Sequence, residues 1–129
     1  DKRRMTFAVS DAVLMKLDDA PPIYDAVVAL DVIEHIQEAD EQMLMASIAR
    51  QLTSTGVCVI GTPSLSFAHL ASPQSMAGHV NLFTARRLRN LMLTHFKFVQ
   101  SFGLQDTALH LGHPDARHYL LMAGICPRE

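Results

Sequence analysis

Asp31, Glu34 and His35 stand at i, i+3 and i+4 in the stretch LDVIEHI. On a helix that spacing brings all three to one face. An imidazole can take a proton near neutral pH, so His35 is a candidate general base. Two carboxylates and an imidazole could instead hold a divalent cation, although three such groups leave a ligand set incomplete. The same residues fit a capping box, with Asp31 as N-cap and Glu34 as its partner. Further along, His79 and Asn81 lie in the stretch GHVN, where they either position an acceptor or anchor the loop before a helix. Asp11 follows a short apolar run, and a turn Asp there binds either a ligand or its own backbone. His110, His113 and His118 match no standard zinc spacing and have no cysteine nearby, so a polar hairpin loop accounts for them.

These residues need elements to position them. Met5 to Val9 reads as a short strand, and Asp18 to Pro22 as a Pro-Pro loop. Ile23 to Leu30, IYDAVVAL, ends in a continuous apolar run, as in a parallel strand covered on both faces. A helix should follow, interrupted near Glu38 to Asp40 and running on to about Leu52. Leu44, Ile48 and Leu52 form its apolar stripe. Gly56 ends the connection, and Val57 to Ile60 is the next buried strand, completing a βαβ unit. Thr62 to Gly78 is a long loop. Thr84 is a good N-cap for a helix through His95, with Arg86, Arg87 and Arg89 on its solvated face. Phe98 to Leu104 and His118 to Ile125 are strands without a crossover helix between them, so they should pair antiparallel. Met43, Met45, Met92 and Met122 are expected to fill core.

The predicted fold is a single α/β domain over residues 1–129, a mostly parallel sheet ending in an antiparallel pair. Ligands of such sheets bind beyond the carboxyl ends of the strands. The decisive loops are then Ser10 to Ala12, Asp31 to His35, and Thr62 to Asn81. Apolar residues make up 49 % of the 129 and charged residues 19 %, enough to bury a core. A net charge of −2 argues against a nucleic-acid partner. No apolar stretch approaches the ~20 residues of a membrane span. The two cysteines, Cys58 and Cys126, are read as reduced core residues of a cytoplasmic protein.

Four segments, in order, resemble class I S-adenosylmethionine-dependent methyltransferases. FAVSDA, Phe7 to Ala12, looks like the family's third strand and its acidic turn. YDAVVALDVIEHI, Tyr24 to Ile36, looks like the fourth strand and its turn. LTSTGVCVIGTPS, Leu52 to Ser64, and GHVNLFTARRLRNLMLTHF, Gly78 to Phe96, are similar to the fifth strand and to the histidine loop and helix after it. Within the superfamily the ubiquinone-biosynthesis O-methyltransferases look most similar.

The resemblance implies a Rossmann-like methyltransferase sheet, truncated at its N-terminus, with S-adenosylmethionine as cofactor and a small-molecule acceptor. It implies that Asp11 and Ala12 read the adenine and that Leu30 and Asp31 lie in the cofactor site, where the turn closes over the methionine end. It gives His35 and His79 the catalytic roles. It also allows a metal at the acidic-His turn, as in some quinone O-methyltransferases with a similar turn. No Gly-x-Gly occurs in the sequence, so this chain alone should bind the cofactor weakly or not at all. The family's first strand would lie beside the strand ending at Leu30. Its absence predicts an unpaired edge relieved by homo-oligomer formation, strand rearrangement or an upstream segment. The alternative to catalysis is a methyltransferase-like remnant or subunit that acts by association.

Overall fold

The computed structural model describes residues 9–13 and 24–128. The expected strand at Met5 to Val9 and the loop at Asp18 to Pro22 lie outside those residues, except Val9. Five strands form one sheet: β1 (Tyr24–Leu30), β2 (Leu52–Pro63), β3 (Phe96–Gln105), β4 (Ala108–Leu111) and β5 (Tyr119–Pro127). Their spatial order is β1-β2-β5-β3-β4. β1 and β2 run parallel, and β2–β5, β5–β3 and β3–β4 are antiparallel. Among the described residues there are three α-helices, α1 (Glu41–Gln51), α2 (Pro73–Gly78) and α3 (Ala85–His95).

The fold class and the antiparallel pairing of the last long strands follow the sequence. Among the described residues one pairing is parallel and three are antiparallel. One of the three involves β4, which the sequence reading passes over. It is a four-residue strand that closes a hairpin on β3 between Phe102↔Leu111 and Gln105↔Ala108.

Period-two alternation makes the core. Cys58, Ile60 and Thr62 of β2 are buried, and they pair in register with Gly124, Met122 and Leu120 of β5. Val27 and Ala29 of β1 pack on the same side. Leu44, Met45 and Ile48 of α1 and Leu88, Leu91 and Met92 of α3 cover this face. Met43, expected in the core, is instead exposed. Thr84 caps α3 as its sequence predicts, its side chain accepting from the Arg87 amide at 3.2 Å. Gly56 does not end a loop; it lies within β2, where the pairing register with β1 slips between Tyr24 and Ala26.

The apolar run of β1 predicts cover on both faces, but the described residues cover one. Val28 and Leu30 are 62 % and 50 % exposed on the other, and β1 is the outermost of the described strands. Among the described residues no helix is long and apolar enough to cross a membrane.

The two thiols are free and differ in setting. Cys58 is fully buried between strands, and burial pushes its thiol up to about 12. Cys126 is only half-buried, in a left-handed backbone conformation near the end of β5. The thiolate is the reacting species, so alkylation of the folded protein near pH 8 should modify Cys126 first. Cys58 should lag by on the order of a thousandfold until denaturant is added. Equal rates by mass spectrometry would show that the sheet opens freely.

Candidate active site at the carboxyl edge of the sheet

The parallel pair β1 and β2 ends at Leu30 and Pro63, so the segments that follow share one edge of the sheet. Asp31 extends the ladder by one bond, its amide donating to the Gly61 carbonyl at 2.9 Å. It then turns the chain through a left-handed conformation, φ 54°. Asp tolerates that region better than most side chains.

The turn itself departs from the helix predicted for it. Ile33–His35 is a single 3-10 turn, a second spans Glu38–Asp40, and the α-helix begins only at Glu41. The capping box is not formed either. Val32 occupies the cap position with no side-chain bond, and the Glu34 carboxylate points elsewhere.

Glu34 is fully buried. Its Oε2 accepts from the Thr62 hydroxyl at 2.8 Å, and its Oε1 has no hydrogen-bond partner. Its backbone carbonyl accepts from the amides of Val80 at 2.9 Å and Asn81 at 3.0 Å. One residue thereby ties the turn after β1 to the end of β2 and to the loop before α3.

That loop contains α2, which is built from local signals. The Ser72 side chain caps it, accepting from the Ser75 amide at 3.2 Å, Pro73 opens it and Gly78 closes it. The end of α2 delivers His79 next to His35. The His35 Nδ1–H donates to the Gly78 carbonyl at 2.7 Å, and the two imidazole rings meet edge-on with centroids 5.1 Å apart. With the proton on Nδ1, the other nitrogen of a neutral His35 is an acceptor. It faces Glu34 Oε1 at 3.9 Å, too far for a direct hydrogen bond. His79 Nδ1 is likewise buried and unpartnered. One donor atom from each of Glu34, His35 and His79 fits within 4.8 Å, so these three form the cluster, and Asp31 is not a member of it.

His79 also lines a cavity of about 360 Å³ with Pro63, Phe67, Leu70, Leu82 and His118 among its walls. None of the residues around it is an acid, lysine or arginine. The sequence predicts that Thr62 to Asn81 lies at this edge but carries no signal for Phe67, and the hairpin loop expected at His118 gives no hint that it lines the cavity. The Ser-Pro start and Gly end of α2 were the available signal that would have set His79 at a helix terminus.

The other candidates fall into place separately. Asp11 is exposed, and its Oδ1 accepts from the Val13 amide at 2.8 Å, the local backbone bond that favours Asp in turns. Ala12 is half-buried against the core. Leu30 and Asp31 stand at the strand end on the open face. Of the two readings of Asn81, the structure bears out the loop anchor: it is buried, donates to Glu41 at 3.2 Å and accepts from Arg87 at 2.8 Å. Arg87, read as solvated, joins α1 to α3 through a 2.6 Å ion pair with Glu41 and lies 4.2 Å above the Phe83 ring centroid. His110, His113 and His118 do not assemble into a ligand group among the described residues.

The sequence profile of the methyltransferase domain matches residues 3–98, most of the chain, so the chain belongs to the methyltransferase domain family. No curated protein is similar enough to be matched. Solved structures are. One is a possible histamine N-methyltransferase of Thermotoga maritima, at 12 % identity and TM-score 0.73, covering 90 % of this chain and 61 % of that one. The N-methyltransferase NodS of Bradyrhizobium japonicum, in complex with S-adenosyl-L-homocysteine, aligns at 15 % identity and TM-score 0.63, covering 94 % and 54 %. A SAM-dependent methyltransferase of Archaeoglobus fulgidus aligns at 14 % and 0.64, covering 92 % and 66 %. The chain thus spans under two thirds of the length of each of these three, and at such identities the likeness is one of fold, a Rossmann-like methyltransferase sheet.

Removing the hydroxyl that holds Glu34 should be costly. Thr62→Val keeps the shape but leaves a buried carboxylate without its donor, a loss of about 1–3 kcal/mol. Urea unfolding should show the midpoint falling with an unchanged slope. A wild-type midpoint would mean that Glu34 finds its partner elsewhere.

Proposed function

We propose that this chain forms the acceptor-side portion of a domain that moves the methyl group of S-adenosylmethionine to a small molecule. The observation that carries the reading is His79. Its Nδ1 is buried and without a partner, beside His35, in the wall of the cavity at the carboxyl edge of the sheet. Cofactor-binding roles go to Asp11 and Ala12 at the adenine and to Leu30 and Asp31 at the methionine end. Leu30 and Asp31 fit, since they stand half-open at that edge where a ligand can lie against backbone.

The cofactor supplies an electrophilic methyl on a sulfonium. An acceptor hydroxyl that attacks it must be aligned and must lose a proton. The apolar walls from Phe67, Leu70 and Leu82 hold the body of the acceptor and exclude water. His79 receives the proton, and His35, fixed by the Gly78 carbonyl, orients the His79 ring and the acceptor. His79→Ala should lower turnover by about 10²–10⁴, and His35→Ala should lower it as well. Neither change removes core, so thermal midpoints should move little. A tritiated-methyl assay of the full-length protein over a panel of neutral phenols and amines checks this. Unchanged turnover in both variants would leave the histidines with structural roles.

A metal-assisted form of the same chemistry is favoured by one further observation. The orphaned Glu34 Oε1 and the acceptor nitrogen of His35 face each other 3.9 Å apart, two lone-pair donors with room for a cation between them. Metal–ligand bonds of about 2.0–2.2 Å span such a gap. A ligating histidine characteristically donates its other N–H to a carbonyl, as His35 does to Gly78. Glu34, His35 and His79 would hold the ion, and it would supply Lewis acidity toward the acceptor oxygen. Calorimetric titration with Mn²⁺ or Zn²⁺ should then reveal one site, abolished by Glu34→Gln and by His79→Ala. The absence of a heat signal, or one unchanged in both variants, removes the metal and leaves His79 as the base.

A further inference from the structure

A second cavity, of about 550 Å³, opens at the other end of the sheet. α1 and α3 both end there, at Gln51 and His95, where β2 and β3 begin and β5 finishes. It shares no residue with the cavity beside His79. Arg50, Lys97 and Arg128 stand around it, and none of its lining residues is an acid. The chain as a whole carries a net charge of −2, so three cations at one cavity are a local concentration rather than a share of a general excess. Among the described residues none of the three pairs with a carboxylate; the ion pairs there belong to His35 and Arg87. A cleft lined by charge of one sign focuses the potential and draws a counter-ion.

The three cations come from three elements. Arg128, just beyond β5, is fastened to the end of α3. Its amide donates to the His95 carbonyl at 2.7 Å, and its Nε–H donates to the Leu93 and Phe96 carbonyls, each at 3.1 Å. Cations complement the last carbonyls of a helix. That role takes the Nε of Arg128 and leaves its two terminal nitrogens for the cavity. Arg50 of α1 spends Nη2 on the Ser47 hydroxyl at 3.1 Å, which steadies the guanidinium and leaves Nη1. Lys97 of β3 follows Phe96, which pairs with Pro127 beside Arg128. Ser54 adds a hydroxyl to the wall, and Ala46, Ala49 and Leu52 add an apolar part. Two guanidiniums and an ammonium suit a tetrahedral dianion, whose oxygens point in several directions, better than a planar carboxylate with two oxygens in one plane. An apolar wall beside convergent polar groups takes the body of a small molecule. We propose that this cavity binds a phosphomonoester of a small apolar molecule, with the phosphate between Arg50, Lys97 and Arg128 and the body against Ala46, Ala49 and Leu52.

Calorimetric titration of the full-length protein with phenyl phosphate at low ionic strength should reveal one site, weakened by added salt. Arg50→Gln and Lys97→Gln should each weaken it about tenfold, the loss of one charge-assisted hydrogen bond, and together they should remove it. Both side chains are exposed, so the unfolding midpoint should stay in place. Arg128 is left intact because its Nε caps α3. The pair Arg86→Gln and Arg89→Gln removes the same charge from exposed positions on α3 outside the cavity and should leave the affinity unchanged. Inorganic phosphate should compete but bind more weakly, and phenol alone should not bind. Saturating S-adenosylhomocysteine should not displace phenyl phosphate. No heat with phenyl phosphate overturns the proposal, as does an equal loss in the Arg86 and Arg89 pair, which would make the binding a matter of net charge. Displacement by S-adenosylhomocysteine, or binding of phenol as tight as that of phenyl phosphate, overturns it too, since either places the ligand elsewhere. Capture of the protein by vesicles containing phosphatidic acid, without affinity for phenyl phosphate, also rejects the small soluble ligand.

Discussion

A fully buried carboxylate must find its partners within the protein, and Glu34 draws the carboxyl edge of the sheet together in doing so. Its side chain takes the Thr62 hydroxyl, and its backbone carbonyl takes two amides from the loop before α3. Leaving such a group without donors would cost several kcal/mol. The turn after β1, the end of β2 and the His79 loop are therefore obliged to meet at one place. The two imidazoles are brought into contact by that obligation together with the length of α2, which ends where the His35 N–H needs an acceptor.

The turn from Asp31 to His35 is gripped from opposite sides of the sheet. Alternation along β1 sends Ala29 to the covered face and Leu30 to the open one, and the chain crosses the edge just beyond. On the open side the Tyr119 phenol crosses Gly61, whose carbonyl accepts the Asp31 amide, and on the covered side Glu34 meets Thr62. Both partners come from strands that pair with each other at Pro63↔Tyr119, next to Thr62. A rigid two-strand unit thus holds both ends of a four-residue stretch. That stretch can keep a strained backbone and an incompletely paired carboxylate because it has little freedom to relax.

What could be read in the sequence was local. The apolar run of β1, the Thr84 cap, the helix ending at His95 and the antiparallel meeting of the last long strands rest on periodicity and capping, which act over a few residues. The DVIEHI and GHVN segments also marked the edge where the cluster forms. The partners inside it were not legible, because each is chosen by another part of the chain. Spacing alone grouped Asp31 with Glu34 and His35, but that grouping assumes a helix. The 3-10 turn leaves Asp31 on the β2 ladder and admits His79 instead. Arg87 looked solvated because its own helix face is polar, and the glutamates that capture it, Glu41 and Glu38, come from a distant part of the chain. β4 is too short to carry a pattern, and its hairpin turns through Asp106 and Thr107, with Asp106 in the left-handed region.

The contacts that build the cluster also have an order in time. Glu34 and Thr62 are 28 residues apart, His35 and Gly78 are 43 apart, and Glu41 and Arg87 are 46 apart. Closing such loops costs chain entropy that only later contacts repay. α1 and α3 can form from neighbours in sequence, but the carboxylate can be desolvated only once β2 has docked beside β1. The histidine pair therefore waits on that docking. A chain stalled short of that step would have its helices and much of its apolar face, yet would display Glu34 to water and keep His35 and His79 apart.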